Sequence, residues 1–287
     1  MSGINQYEQV EQYWDNRPCN IRHSNLTLGT LAHSHEITTR KYQVEPHIPK
    51  FAEFGQYKNK NVLEVGCGIG TDTISFAKAG ARVLAVDISS RSIGIARARA
   101  KAEGVLDRIT FIHGNIEFIE TVQAIRQQKC YIDLVYSFGV LHHTPNIEDA
   151  LKNISICTPE STPFKMMVYN RYSIRTLELV MDALPLILLG KFPLSSLDAI
   201  VARQSEAQSN CPITHTYTPT MIKSIMNRCL YRDITTTKEH IFPYSVSAYK
   251  KHELVKKFPY SMMPQVIFDW LQHHFGWHLC VNATIRG

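Results

Sequence analysis

No C-x-x-C pair, no run of Lys or Arg longer than two, no internal repeat and no low-complexity tract occurs in these 287 residues. Seven cysteines (Cys19, Cys67, Cys130, Cys157, Cys211, Cys229 and Cys280) stand far apart and are odd in number. That argues against both a zinc module and a disulfide framework, and a reducing cytoplasm is the expected compartment. The formal charge is only +6, and pairs such as Lys250-Lys251 and Lys256-Lys257 make no basic stripe, so nucleic acid is not an expected partner. The longest apolar stretch, "MDALPLILLG", is too short to span a bilayer and contains Pro185. The opening "MSGINQYEQVEQYWDNRP" lacks the basic-then-apolar order of a signal peptide.

What is present is an ordinary folded composition, 44% hydrophobic and 20% charged, on a chain long enough for one large domain with an insertion or two joined lobes. Short β-branched runs alternate with helical patterns, as in βαβ units around a parallel sheet. Strands are expected at Asn61–Val65, Arg82–Val86, Ile109–His113, Ile132–Tyr136 and Phe164–Tyr169. Helices are expected at Thr71–Ala79, Ser90–Glu103, Phe118–Gln127 and Ile147–Cys157. "YRDITTTKEHIF" and "WHLCVNATIR" alternate like two further strands, and Pro219 opens a helix. The expected class is α/β, a seven-stranded, mostly parallel sheet with helices on both faces. Its division is 1–60 as an N-terminal lid, 61–169 as the core, 170–217 as a helical insertion over the substrate, and 218–287 as the last helices and strands.

"VLEVGCGIGTDT" places Gly66, Gly68 and Gly70 between a strand and a helix, where bare backbone approaches a ligand at the carboxyl edge of the sheet. The spacing is G-x-G-x-G, whereas a nicotinamide cofactor calls for G-x-G-x-x-G. Glu64 before the glycines would repel a pyrophosphate and attract a ligand carrying ammonium and sulfonium charge. About twenty residues on, Asp87 ends the second strand, where a carboxylate accepts ribose hydroxyls. Ile88 can lie on a purine, and Asn115 in "HGNIE" can read an adenine edge. Singly, each is a cap or a turn; together they sit at successive strand ends.

"VLEVGCGIGTDT", "VLAVDIS", "HGNIE" and "DLVYSFGVLHHTPN" resemble the motifs of class I S-adenosylmethionine-dependent methyltransferases, nearest the small-molecule branch of ubiquinone and menaquinone biosynthesis. The match runs from Asn61 to about Tyr169. It implies a Rossmann-like fold and S-adenosyl-L-methionine as cofactor, released as S-adenosyl-L-homocysteine. It also implies that Glu64, Gly66, Cys67 and Gly68 surround the methionine part, that Asp87 binds ribose, and that Ile88, Asn115 and Ile116 meet adenine. Ser137, Phe138 and Gly139 would line the sulfonium side. Asn115 stands where many relatives have Asp, and "CTPESTPFKMMV" replaces the usual "LKPGG" turn. "YWDNRPCNIRHS" and "RKYQVEPHIPKFAEF" resemble a bacterial subgroup tied to natural-product and polysaccharide pathways.

Methyl transfer is an in-line displacement on an activated carbon, so a base is needed only for a protonated nucleophile. His142 and His143, after the fourth strand, are the candidates; equally, they are a pair that bonds backbone and positions substrate. No metal is expected, because Gly139 stands where metal-binding relatives offer a carboxylate, and His33 and His35 in "AHSHE" lie alone. Within the lid, Tyr13, Arg22, Arg40, Tyr42 and His47, beside Trp14 and Arg17, are candidates for holding donor or acceptor. His215 and Tyr217 are candidates on the acceptor rim. The expected activity is methylation of a small molecule of natural-product or saccharide type. A peptide side chain as acceptor, or an inactive donor-binding subunit, are the alternatives. "SFGVLHH" is not the N-P-P-Y type loop that holds a flipped base.

Overall fold

A computed structural model describes residues 5–189, 196–204 and 211–286. The last residue of "MDALPLILLG" and two stretches of the expected 170–217 insertion lie outside the described residues. Three helices come first: α1 (Gln6–Asn16), α2 (Leu31–Val44) and α3 (His47–Ala52). Strands and helices then alternate as β1 (Asn61–Val65), α4 (Thr71–Lys78), β2 (Arg82–Asp87), α5 (Ser90–Ala102), β3 (Ile109–His113), α6 (Ile119–Gln127), β4 (Leu134–Phe138), α7 (Ile147–Cys157) and β5 (Pro163–Tyr169). Helices α8 (Ile174–Leu188), α9 (Leu197–Gln204) and α10 (Pro219–Arg228) lead to β6 (Tyr231–Glu239). Finally α11 (Val246–Lys250) and α12 (Gln265–Phe275) precede β7 (His278–Ile285).

The seven strands form one sheet in the order β3-β2-β1-β4-β5-β7-β6. β1 to β5 run parallel, and β7 is antiparallel to both its neighbours. Helices cover both faces, so the central strands are buried on both sides and read as nearly continuous apolar runs. Strand periodicity divides β1 between two cores: Leu63 and Val65 pack with α6, α7 and α10, and Val62 packs with α4 and α5. Glu64 belongs by the same alternation to the face of Val62 and α4. Caps follow local chemistry, with Ser89 accepting from the Ser92 N–H at 3.0 Å and Thr218 from Met221 at 3.1 Å ahead of Pro219.

One expected strand shifts by two residues. The fourth strand begins at Leu134, because the Asp133 carboxylate accepts the Asn61 N–H at 2.8 Å and the ladder opens with Val62 beside Leu134. Ser137 and Phe138 are therefore strand residues. The N-terminal segment carries α1, α2 and α3 and is tied into the core by polar contacts. Asp15 after α1's middle accepts from Ser89 Oγ at 2.7 Å and from the Arg91 N–H at 3.0 Å, joining α1 to the start of α5.

Arg99 of α5 is the other tie, and its side chain is wholly buried. It donates to the Ile69 carbonyl at 2.7 Å, Thr71 Oγ1 at 2.9 Å, Thr38 Oγ1 at 3.0 Å and the Ser34 carbonyl at 3.2 Å. One guanidinium thus fastens α2 to the glycine loop, and burial lowers its pKa to about 10. Removing it strands several buried acceptors without donors. Arg99→Met is expected to lower the unfolding free energy by about 3–5 kcal/mol, read by urea unfolding, and to make α1 and α2 the first sites of limited proteolysis.

Candidate active site

A cavity of about 510 Å³ opens at the carboxyl ends of β1, β2, β4 and β5, where the strand order reverses between β1 and β4. One wall is the glycine loop. Gly66 has φ +80 and a side chain there would overlap Val140, whereas a Cβ on Gly68, at φ +53, would meet no protein atom within 4 Å. The first glycine lets β1 and β4 approach, and the second leaves room at the ligand. Asp87 braces this loop: Oδ2 accepts the Gly68 N–H at 2.7 Å and Oδ1 the Ser89 N–H at 2.8 Å. Burial raises its pKa against those two hydrogen bonds. Each oxygen keeps a further lone pair for a ligand hydroxyl.

Along the β3 edge, Asn115 Oδ1 accepts the Glu117 N–H at 2.9 Å, and Glu117 Oε1 accepts the Asn146 N–H at 2.7 Å. Both residues line the cavity. The roof comes from the first fifty residues, through Trp14, His23, Lys41 and Glu45, and the far wall from Tyr169, Phe242, Trp277 and His278. Tyr169 and Trp277 stack at 4.1 Å. His143 lies between these ends. Its Nδ1 lies 2.9 Å from the Ile213 carbonyl and 3.1 Å from Thr214 Oγ1. A carbonyl only accepts, so the neutral ring carries its proton on Nδ1 and its basic lone pair on Nε2.

The family profile described as "Methyltransferase domain" matches residues 62–158. That segment, about a third of the chain, is similar to the methyltransferase domains this profile describes. The chain is 34% identical over 102 residues to the mitochondrial ubiquinone biosynthesis O-methyltransferase of Schizosaccharomyces pombe, covering 35% of each chain. It is 31% identical over 123 residues to the Actinobacillus pleuropneumoniae ubiquinone biosynthesis O-methyltransferase, covering 42% of this chain and 49% of that one. It therefore spans from a third to a half of the length of these curated relatives. In fold, it is similar to magnesium protoporphyrin IX methyltransferase from Synechocystis with bound S-adenosylhomocysteine, at TM-score 0.55 and 15% identity over 97% of this chain and 98% of that one. Geranyl diphosphate C-methyltransferase from Streptomyces coelicolor gives TM-score 0.56 at 9% identity, over 99% and 100% of the two chains.

Within residues 62–158, Gly66, Cys67, Gly68, Asp87, Ile88, Asn115, Ile116, Phe138, Gly139 and His143 surround the cavity. Other expected residues do not. Glu64 faces α4, where it accepts from Thr73 Oγ1, and burial raises its pKa well above the ordinary value. Ser137, on the buried face of β4, donates to the Val65 carbonyl at 2.9 Å. His142 is fully buried between the rings of His143 at 4.1 Å and Tyr169 at 3.8 Å, and burial holds its pKa well below 6.5. The adjacent histidines thus separate into one cavity residue and one packing residue. Burial also pushes up the Cys67 thiol, which leaves it unreactive.

The N-terminal candidates Tyr13, Arg22, Arg40, Tyr42 and His47 stand off the cavity wall. Tyr13 packs edge to face on Trp14, Arg22 is exposed, and Arg40 donates to the Tyr249 carbonyl at 3.0 Å. Tyr42 donates to Asp72 at 2.9 Å, and His47 Nε2 meets His278 Nδ1 at 3.0 Å. His215 faces Asp198 at 3.6 Å, and Tyr217 is buried in the core. Of the 170–217 segment, Arg175 is a cavity residue among those described. Sequence reasoning missed Lys41, Glu45, His240 and Trp277, which converge only through folding. One omission had a signal: Glu117 stands in the "HGNIE" that was read for its amide. Asp72, 2% exposed, takes Lys41 Nζ and Tyr42 OH at 2.9 Å and Tyr136 OH at 3.0 Å.

Burial depresses the imidazoles in and beside the cavity, His23 and His240 to about 4, His47 to about 3, and His142 and His278 well below the ordinary 6.5. Below pH 6.5 the unfolded chain binds protons that the fold refuses, so their stabilising neutrality is lost as pH falls from 6.5 toward 4. The unfolding free energy read from urea titrations is expected to drop over that window, by up to about 1.4 kcal/mol per pH unit for each histidine. His240→Gln is expected to flatten the drop; an unchanged slope would show that other groups set it.

Proposed function

We propose that the whole chain is an S-adenosylmethionine-dependent methyltransferase whose acceptor is a small molecule presenting a hydroxyl, of natural-product or saccharide-pathway type. The observation that carries this reading is that one cavity has two chemically different ends. Asp87, Asn115 and the glycine loop supply a donor end with hydroxyl and amine acceptors. Tyr169, Trp277 and Phe242 supply an aromatic end for the acceptor. A cavity of about 510 Å³ is of small-molecule size, and this favours a compact acceptor over a peptide. The helices of 1–60 act as its lid.

In the proposed reaction the acceptor oxygen attacks the methyl carbon as the C–S bond opens, and the sulfur keeps the electron pair. The protein aligns the two and excludes water. His143 Nε2 takes the hydroxyl proton, a role supported by the fixed Nδ1–H tautomer. No described helix is long and apolar enough to cross a membrane, and free cysteines along the chain suit a reducing compartment such as the cytoplasm.

The test is turnover of isotopically labelled S-adenosylmethionine against a panel of hydroxylated metabolites and peptides, with the label then located. Absence of donor binding in calorimetry would sink the proposal; label on a peptide would move the acceptor class. Asp87→Ala is expected to weaken donor binding about 100-fold, since two charge-assisted hydrogen bonds are lost. His143→Ala is expected to keep donor affinity within about twofold and to lower kcat by about 10²–10⁴. Equal loss of donor affinity in both variants would contradict that division.

A further inference from the structure

The aromatic end of the cavity holds a cluster with no part in donor binding. Glu45 follows α2, His240 follows β6 and His278 opens β7, and all three reach the cavity wall. One ligand atom from each lies within 4.8 Å of the other two. Metal bonds to imidazole nitrogen and carboxylate oxygen are about 2.0–2.2 Å, so two ligands of a tetrahedral ion stand about 3.3–3.6 Å apart, and His278 Nε2 and Glu45 Oε1 already stand at 3.6 Å. A side-chain movement of about 1.5 Å at most closes the set.

The surroundings match a ligand set. His278 Nε2 faces Glu45 at 3.6 Å, while Nδ1 of the same ring meets His47 Nε2 at 3.0 Å. A metal-binding histidine characteristically gives its other N–H to a neighbouring acceptor, which fixes tautomer and ring orientation; His47 stands in that place. His240 adopts φ +66, a left-handed conformation uncommon for a side-chain-bearing residue, with its ring 4.5 Å from that of His278. Lys41, the cation on the roof, is neutralised by Asp72 at 2.9 Å.

We propose that Glu45, His240 and His278 form a three-ligand site for a divalent ion of the zinc type, open toward the cavity, where the ion takes the oxygen of the methyl acceptor. Two nitrogens and one carboxylate oxygen suit zinc or a neighbouring first-row ion, and three protein ligands leave the fourth position for substrate. The inference rests on the methyltransferase reading for its role, not for the site itself. Bound through oxygen, the acceptor hydroxyl becomes more acidic and passes its proton to His143 Nε2. The oxygen pair forms the C–O bond, the C–S pair returns to sulfur, and the methyl ether leaves the ion. His143 and His278 both flank Tyr169, with ring separations of 5.8 and 6.3 Å. His278 also lies 5.6 Å from Phe138 at the donor end.

The test is equilibrium dialysis and calorimetry of the full chain with zinc, and absorption spectroscopy with cobalt(II) in its place, with S-adenosylmethionine binding measured in parallel. One ion per chain is expected, with cobalt d–d bands and no thiolate charge-transfer band. Zinc affinity is expected to fall at least about 100-fold in His240→Ala and Glu45→Gln, and about 10–100-fold in His47→Phe, while donor binding persists. No bound ion, equal binding in the variants, or a thiolate band from the free cysteines would overturn the site. If a variant also loses the donor through misfolding, the cobalt spectrum of the unaltered chain decides. Ion binding without donor binding would keep the site and remove the methyltransferase reading; donor binding without an ion would do the reverse.

Discussion

Carboxyl groups buried beside the glycine loop are the constraint around which this molecule is arranged. Glu64, Asp72 and Asp87 all lie within the core near one turn of chain, and an unsatisfied buried carboxylate costs several kcal/mol. Each is answered differently. Glu64 takes the Thr73 hydroxyl, Asp72 takes a lysine and two tyrosines, and Asp87 takes two backbone N–H groups. Because Lys41 and Tyr42 come from α2, satisfying Asp72 also fastens the N-terminal helices over the cavity. Arg99 works from the other side of the same loop, so the glycine-loop wall and the roof are held by one polar framework.

That framework explains the division of labour along the cavity. Tyr42 answers Asp72 away from the cavity, and Lys41 answers it from the roof. On the wall, Asp87 and Asn115 accept backbone N–H groups and His143 meets the Ile213 carbonyl. The ordinary requirement that buried polar groups find partners thus fixes both the wall and its support.

The core strands were legible because a parallel sheet covered on both faces leaves short apolar runs between helical patterns. Asn61–Val65, Ile109–His113 and Ile147–Cys157 coincide with the expected spans. Where a local hydrogen bond competed with the pattern, reading by periodicity slipped: Asp133 capping Asn61 delays β4 past Ile132. On the site, residues at strand ends were legible, since strand end and cavity coincide in this topology. Those that depend on which way a side chain points were not. Glu64 is adjacent to the glycines in the chain, yet the two-residue period turns it beneath them. His142 and His143 are neighbours in sequence, yet one is enclosed by Tyr169 and the other opens on the cavity.

By itself the amino-acid order determined the βαβ rhythm, the glycine loop and the acid twenty residues beyond it, because these follow from local periodicity and fixed spacing. Tertiary structure alone decided what stands opposite them. Glu45, His240 and His278 are separated by up to 233 positions and share no motif. They meet because β7 enters antiparallel between β5 and β6, which brings the start of β7 and the end of β6 together under the end of α2. No local pattern encodes that meeting; the order of strands in the sheet does.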